Sequence, residues 1–170
     1  MTLLRNGAPI GASPSERATV RIVRNGIVLP DRPSWPQENL PEDITGLSDE
    51  DLIGLYVRAS AWVGYLATMA ASAMVDERAA DTALEVAEAR ALIASWGGTS
   101  KDRVTIAKAE RQADPGVTRM RRDQEDRYAD RKLLEVLASN AERNTFLVSR
   151  ELTRRTSGPA PEQRSRRFGS

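Results

Sequence analysis

From Leu52 onward, apolar residues return every three or four positions. The row runs Leu52, Leu55, Ala59, Trp62, Leu66, Met69 and Ala73, then Ala80, Leu84, Ala87 and Ala91. That spacing predicts one long helix with a buried stripe. Ser48 and Asp51 form an S-x-x-D capping pair at its start, and Leu47 is placed to staple onto Leu52 across the cap. Asp49, Glu50 and Asp51 also suit the positive end of the helix dipole. Gly97-Gly98 predicts the stop. A helix from Ser48 to Trp96 would be about 73 Å long at about 1.5 Å per residue, well beyond the mean helix of about 11 to 12 residues. A second helical stretch is predicted from Thr99 or Ser100 to about Gln112. It breaks at Asp114-Pro115, where Asp can cap and Pro can take the first helical position. A long helix then follows from Pro115 to about Arg155. Its apolar positions, among them Val117, Met120, Leu133, Leu137, Phe146, Val148 and Leu152, spread over more than one face. The fold class expected is all-α, built on a long antiparallel helical hairpin over residues 47–155.

The seven-residue series Leu52, Ala59, Leu66, Ala73, Ala80, Ala87, Ala94 reads as a coiled-coil-like seam, rich in alanine so that helices can approach closely. It can serve packing within the hairpin or between subunits. The second reading makes the chain a homo-oligomer larger than a dimer, with Leu52, Trp62, Leu66 and Met69 as the candidate contacts.

Ahead of the hairpin, residues 1–46 form an arm holding Pro9, Pro14, Pro30, Pro33, Pro36 and Pro41, which forbid a long helix. Thr19 to Val23 and Ile27 to Leu29 flank Arg24-Asn25-Gly26, and Asn-Gly between β-branched runs signals a β-hairpin. The arm therefore reads either as a short β-hairpin or as irregular chain, separable from a stable helical core. Residues 156–170 read as a flexible basic tail.

Aromatic residues make up only 5% of the 170, which leaves few large side chains for a thick core and favours a slender molecule. Cysteine and histidine are both absent. Their absence removes disulfides, thiolate chemistry, the commonest general base and the usual transition-metal ligand, so the expectation is a protein without enzymatic activity, cofactor or metal. No run reaches the roughly 18 apolar residues of a membrane span, and a cytoplasmic location is expected. Gly97-Gly98-Thr99-Ser100-Lys101 lacks the spacing of a phosphate-binding loop and reads as a turn.

Net charge is only +1 but unevenly spread. Residues 48–96 hold three arginines against eight acids, whereas residues 97–155 hold fourteen Lys or Arg against ten acids. Lys101/Arg103, Lys108/Arg111, Arg119/Arg121/Arg122 and the tail arginines could line a nucleic-acid groove. Interleaved acids such as Asp123, Glu125, Asp126 and Asp130 favour a solvated or hairpin-pairing face instead. For single-strand stacking the candidates are Trp35, Trp96 and Phe168, while Tyr56, Trp62 and Tyr65 read as core.

From Leu55 to Arg155 the chain resembles the UvsY-like recombination mediators of tailed phages. The likeness rests on a long first helix with Leu55-Tyr56 and Trp62, running to Glu88-Ala89-Arg90 and the glycine turn. The Ala109 to Pro115 break and the closing Val148-Ser149-Arg150-Glu151-Leu152-Thr153-Arg154-Arg155 complete it. The resemblance implies rings of helical subunits that bind single-stranded DNA and load a RecA-like recombinase. It also implies a Lys-x-Arg element before the turn that touches DNA; here Arg90 matches, and Glu88 reverses the charge. The expected DNA contacts are Arg90, Lys101, Arg103, Arg164, Arg166 and Arg167. The other reading is a structural or assembly protein of a tailed-phage particle, with other phage structural proteins as partners. These readings place the protein in the bacterial host cytoplasm or in the virion.

Overall fold

In a computed structural model of the chain, the described residues are 11–94 and 101–157, the side chains of 101–104 and 107 excepted. Four helices occur among them: α1 (Pro14–Arg24), α2 (Asp49–Ala94), α3 (Lys101–Ala113) and α4 (Pro115–Thr156). There is no strand among the described residues. The two long helices, α2 and α4, pack against each other as an antiparallel hairpin. The glycine turn at 97–98, Trp96 and the basic tail from Gly158 lie outside the described residues.

Two compact units divide the chain, Met1–Leu29 with Ala67–Val136, and Pro30–Leu66 with Leu137–Ser170. This division differs from the expected 1–46, 47–155 and 156–170, because the arm splits at Leu29/Pro30 and each half joins a different part of the hairpin.

In the second unit, Ser48 caps α2 as its sequence suggests. Its Oγ accepts from the Asp51 N–H at 3.1 Å and donates to Asp51 Oδ2 at 2.6 Å. Behind this cap Leu52, Leu55 and Val148 are buried, with Leu40, Ile44, Leu47 and Leu152 packed round them. A second cluster seats Trp62 and Leu66 on the small surfaces of Ala138 and Ala141, and Tyr65 meets the Trp62 ring edge-on at 5.8 Å. Leu52 opposite Val148 and Trp62 opposite Ala138 show the antiparallel sense of the helices here. Residues Leu40, Ile44 and Leu47 of the chain ahead of α2 are thus packed into this core.

Arg155 fastens the arm to α4. Its guanidinium donates to the carbonyls of Leu47 (2.9 Å), Thr45 (2.9 Å) and Ile44 (3.4 Å) and pairs with Asp49 at 2.6 Å. Glu151, buried beside it, accepts from Arg154 at 2.6 Å and Arg155 at 2.8 Å. Those two guanidiniums hold the Glu151 carboxyl down at about 2, against an ordinary 4.5. A carboxyl whose folded value is depressed adds stability above its unfolded value and loses it as pH falls through the folded one. Wild-type protein is therefore expected to lose stability between about pH 5 and pH 2, while Glu151→Gln, already weaker at neutral pH, should change less. Urea midpoints measured across that range check this; parallel curves for the two proteins would contradict it.

In the first unit, the segment read as either a short β-hairpin or irregular chain is the helix α1. Ser13 and Glu16 form a complete capping box, with Pro14 in the first turn. Asn25-Gly26 does not turn a hairpin but ends the helix. The Gly26 N–H bonds the Val23 carbonyl, the Ile27 N–H bonds the Ile22 carbonyl, and Gly26 has φ +79. That is a Schellman motif, in which the left-handed residue is best supplied by glycine. Asp76 of α2 then anchors the start of α1, accepting from the Ser15 N–H at 3.0 Å and the Ser15 hydroxyl at 2.6 Å. Deeper in this unit, Glu77 is bridged by Arg131, which also binds Glu135 at 2.5 Å and lies 5.4 Å from the Tyr128 ring centroid.

Candidate nucleic-acid interface

The α3–α4 junction is built from local capping. Asp114 caps α4 by accepting from the Val117 N–H at 2.8 Å, Pro115 opens that helix, and Val117 is buried at 1% exposure. Glu88 of α2 then gathers the neighbouring helices. Its carboxylate meets Arg121 of α4 at 2.7 Å and Arg111 of α3 at 3.8 Å. Arg90 follows two residues after Glu88, Lys108 precedes Arg111 by three, and Arg119 and Arg122 flank Arg121. All four of these cations are exposed, and none has an ion-pair partner among the described residues. Asp123, next to Arg122, is answered by Arg127 at 3.6 Å.

Chemically, one carboxylate faces two guanidiniums, and further exposed cations lie on the same three helices. The charge reversal at Glu88 is therefore internal to the fold. Its negative charge is spent on holding Arg111 and Arg121, two cations to one acid. Such a surface can neutralise phosphates without reading bases.

Of the expected DNA contacts, Arg90 is exposed on α2, two residues and about 200° round the helix from Glu88. Lys101 and Arg103 fall in α3 with side chains outside the described set, and Arg164, Arg166 and Arg167 lie outside the described residues altogether. Arg111 and Arg121 were legible as cations, but their pairing with Glu88 joins residues 23 and 33 positions apart, a distance no local pattern signals. Of the expected oligomer contacts, Leu52, Trp62 and Leu66 are 0%, 9% and 5% exposed and are occupied within the chain's own core. Met69 is exposed. Trp62 and Tyr65 pack in that core as expected, while Tyr56 and Trp35 are exposed.

No group of three or more Asp or Glu able to hold a metal ion occurs among the described residues, and no helix among them is long and apolar enough to cross a membrane. No family model, curated protein or solved structure matches the chain.

Proposed function

We propose that the chain is a non-catalytic, self-assembling protein that binds single-stranded DNA and helps load a RecA-like recombinase, as a recombination mediator does. The supporting observation is the Glu88 cluster. Arg111 and Arg121 answer the acid that would otherwise repel phosphate, and the same three helices carry the exposed cations Arg90, Lys108, Arg119 and Arg122. Binding is then driven by counterion release, without sequence preference.

Anisotropy of a labelled single-stranded oligonucleotide tests this. With about four phosphate contacts and a slope of about −0.7 per contact, affinity should fall about fifty-fold between about 50 and 200 mM salt. An Arg119→Ala/Arg122→Ala double variant should weaken binding and reduce that ratio to about seven-fold. No binding at the lower salt by an intact oligomer would remove the DNA reading.

A second reading, a tailed-phage assembly protein acting through subunit contacts, draws on a different observation. Among the described residues ten hydrophobic side chains are buried, whereas twenty large ones are exposed. Some of them, Val75, Val86 and Ile93, share one face of α2, and an exposed apolar face favours association with another chain.

A further inference from the structure

On α2 within the first unit, two apolar rows run along opposite faces. One row, Ala73, Glu77, Ala80, Leu84, Ala87 and Ala91, is buried or half-buried on the side where Glu77 reaches Arg131 of α4. The other is offset by two residues, about 200° round the helix. It runs Val75, Ala79, Thr82, Val86, Ala89, Ile93, at alternating spacings of four and three, with no charged residue in it. Val86 is 43% exposed and Ile93 75%. The Thr82 hydroxyl donates to its own helix at the Arg78 carbonyl, 3.0 Å away, so it makes no polar demand on a neighbour. A helix packed on one side only should turn polar residues outward.

The same row is already a helix-docking surface over its earlier part. Its continuation toward the start of α2, through Thr68 and Ser72 to Val75, lines a groove of about 380 Å³ with Ala18, Thr19 and Ile22 of α1. That cover ends at Asp76, where α1 begins. Among the described residues, Ala79 is half-buried and the row beyond it, Thr82, Val86, Ala89 and Ile93, is exposed.

We propose that the row from Ala79 to Ile93 docks antiparallel against the same row of a second copy of this chain. This names one two-fold contact of the assembly reading above and rests on that reading. A parallel partner in register would bring its own α1 against this one, whereas an antiparallel partner takes up the row where α1 leaves off. With Val86 beside Thr82 of the second copy, the flanking positions set Arg90 beside Asp76 of the second copy, and the reverse. Asp76 accepts from Ser13 and Ser15, and among the described residues neither Asp76 nor Arg90 has an ion-pair partner. Near the two-fold axis Glu85 meets its own counterpart, a mild like-charge cost.

Sedimentation velocity of the full chain tests this, with helical circular dichroism as the folding control. Val86→Asp and Ile93→Asp, both at exposed positions, should keep wild-type helicity and weaken self-association by about tenfold or more, because a buried unpaired carboxylate is costly. Glu85→Gln should strengthen it by about twofold. If wild type associates and the aspartate variants keep its mass, another surface or another occupant covers the row, and the proposal falls while assembly stands. A monomeric wild type would overturn both. Weaker association in Glu85→Gln would overturn the antiparallel sense, since a parallel pair sets Glu85 beside Arg90. Because this pairing would engage Arg90, the DNA reading is tested separately through Arg119→Ala/Arg122→Ala on α4, which lies outside the row.

Discussion

A chain lacking residues 1–46 is expected to unfold at a markedly lower temperature than the full protein and to lose part of its helical signal. The proline content made the arm look separable, but its two halves serve two different cores. Leu40 and Ile44 cover Leu52, Leu55 and Val148, and the Ile44 and Thr45 carbonyls receive Arg155. Truncation would expose that cluster and leave Arg155 two acceptors short. Losing the partial burial of two large aliphatic side chains alone costs about 2–4 kcal/mol. In the other unit the deletion strips α1 from α2 and leaves Asp76 without its Ser13 and Ser15 donors. Thermal unfolding followed by circular dichroism measures the effect. An unchanged midpoint and unchanged helicity would show that the arm is an appendage.

Leu52→Ala is expected to cost about 2–5 kcal/mol, the range for emptying a fully buried leucine site. Leu52 has no exposure and lies against Val148, which also has none. Met69→Ala, at 37% exposure, should cost far less. Both residues were candidates for oligomer contacts, and the pair separates core from interface. A core residue lowers the urea midpoint equally at every protein concentration, whereas an interface residue acts through the association equilibrium. A Leu52→Ala effect that faded on dilution would return Leu52 to an interface.

The elements that were legible in the sequence are those specified locally. Ser48 with Asp51, and Asp114 with Pro115, place two helix starts because a cap and its recipient N–H lie within three residues. The three-and-four spacing gave the long helices their existence for the same reason. The arm was misread because Asn25-Gly26 serves two geometries. A glycine with positive φ suits a hairpin turn and equally a Schellman motif, and the β-branched run from Thr19 to Val23 leans toward strand. The choice was settled by the Ser13 capping box and by Asp76, which lies 61 residues from Ser15 in sequence. Glu88 was read as a departure from a DNA-contacting pattern, since its neighbours in the chain do not reveal that Arg111 and Arg121 fold onto it. Leu52, Trp62 and Leu66 likewise showed their apolar spacing but not which surface would cover them.

The central claim is that an assembled form of this chain carries single-stranded DNA on a basic surface. Sedimentation velocity of the full chain with a fluorescent single-stranded oligonucleotide, at about 50 mM salt where phosphate contacts are strong, tests it most directly. The label is expected to move with a boundary heavier than a protein dimer, and added salt to return it to the rate of free oligonucleotide. A label that sediments as free oligonucleotide at low salt, while the protein itself sediments as an oligomer, would contradict it.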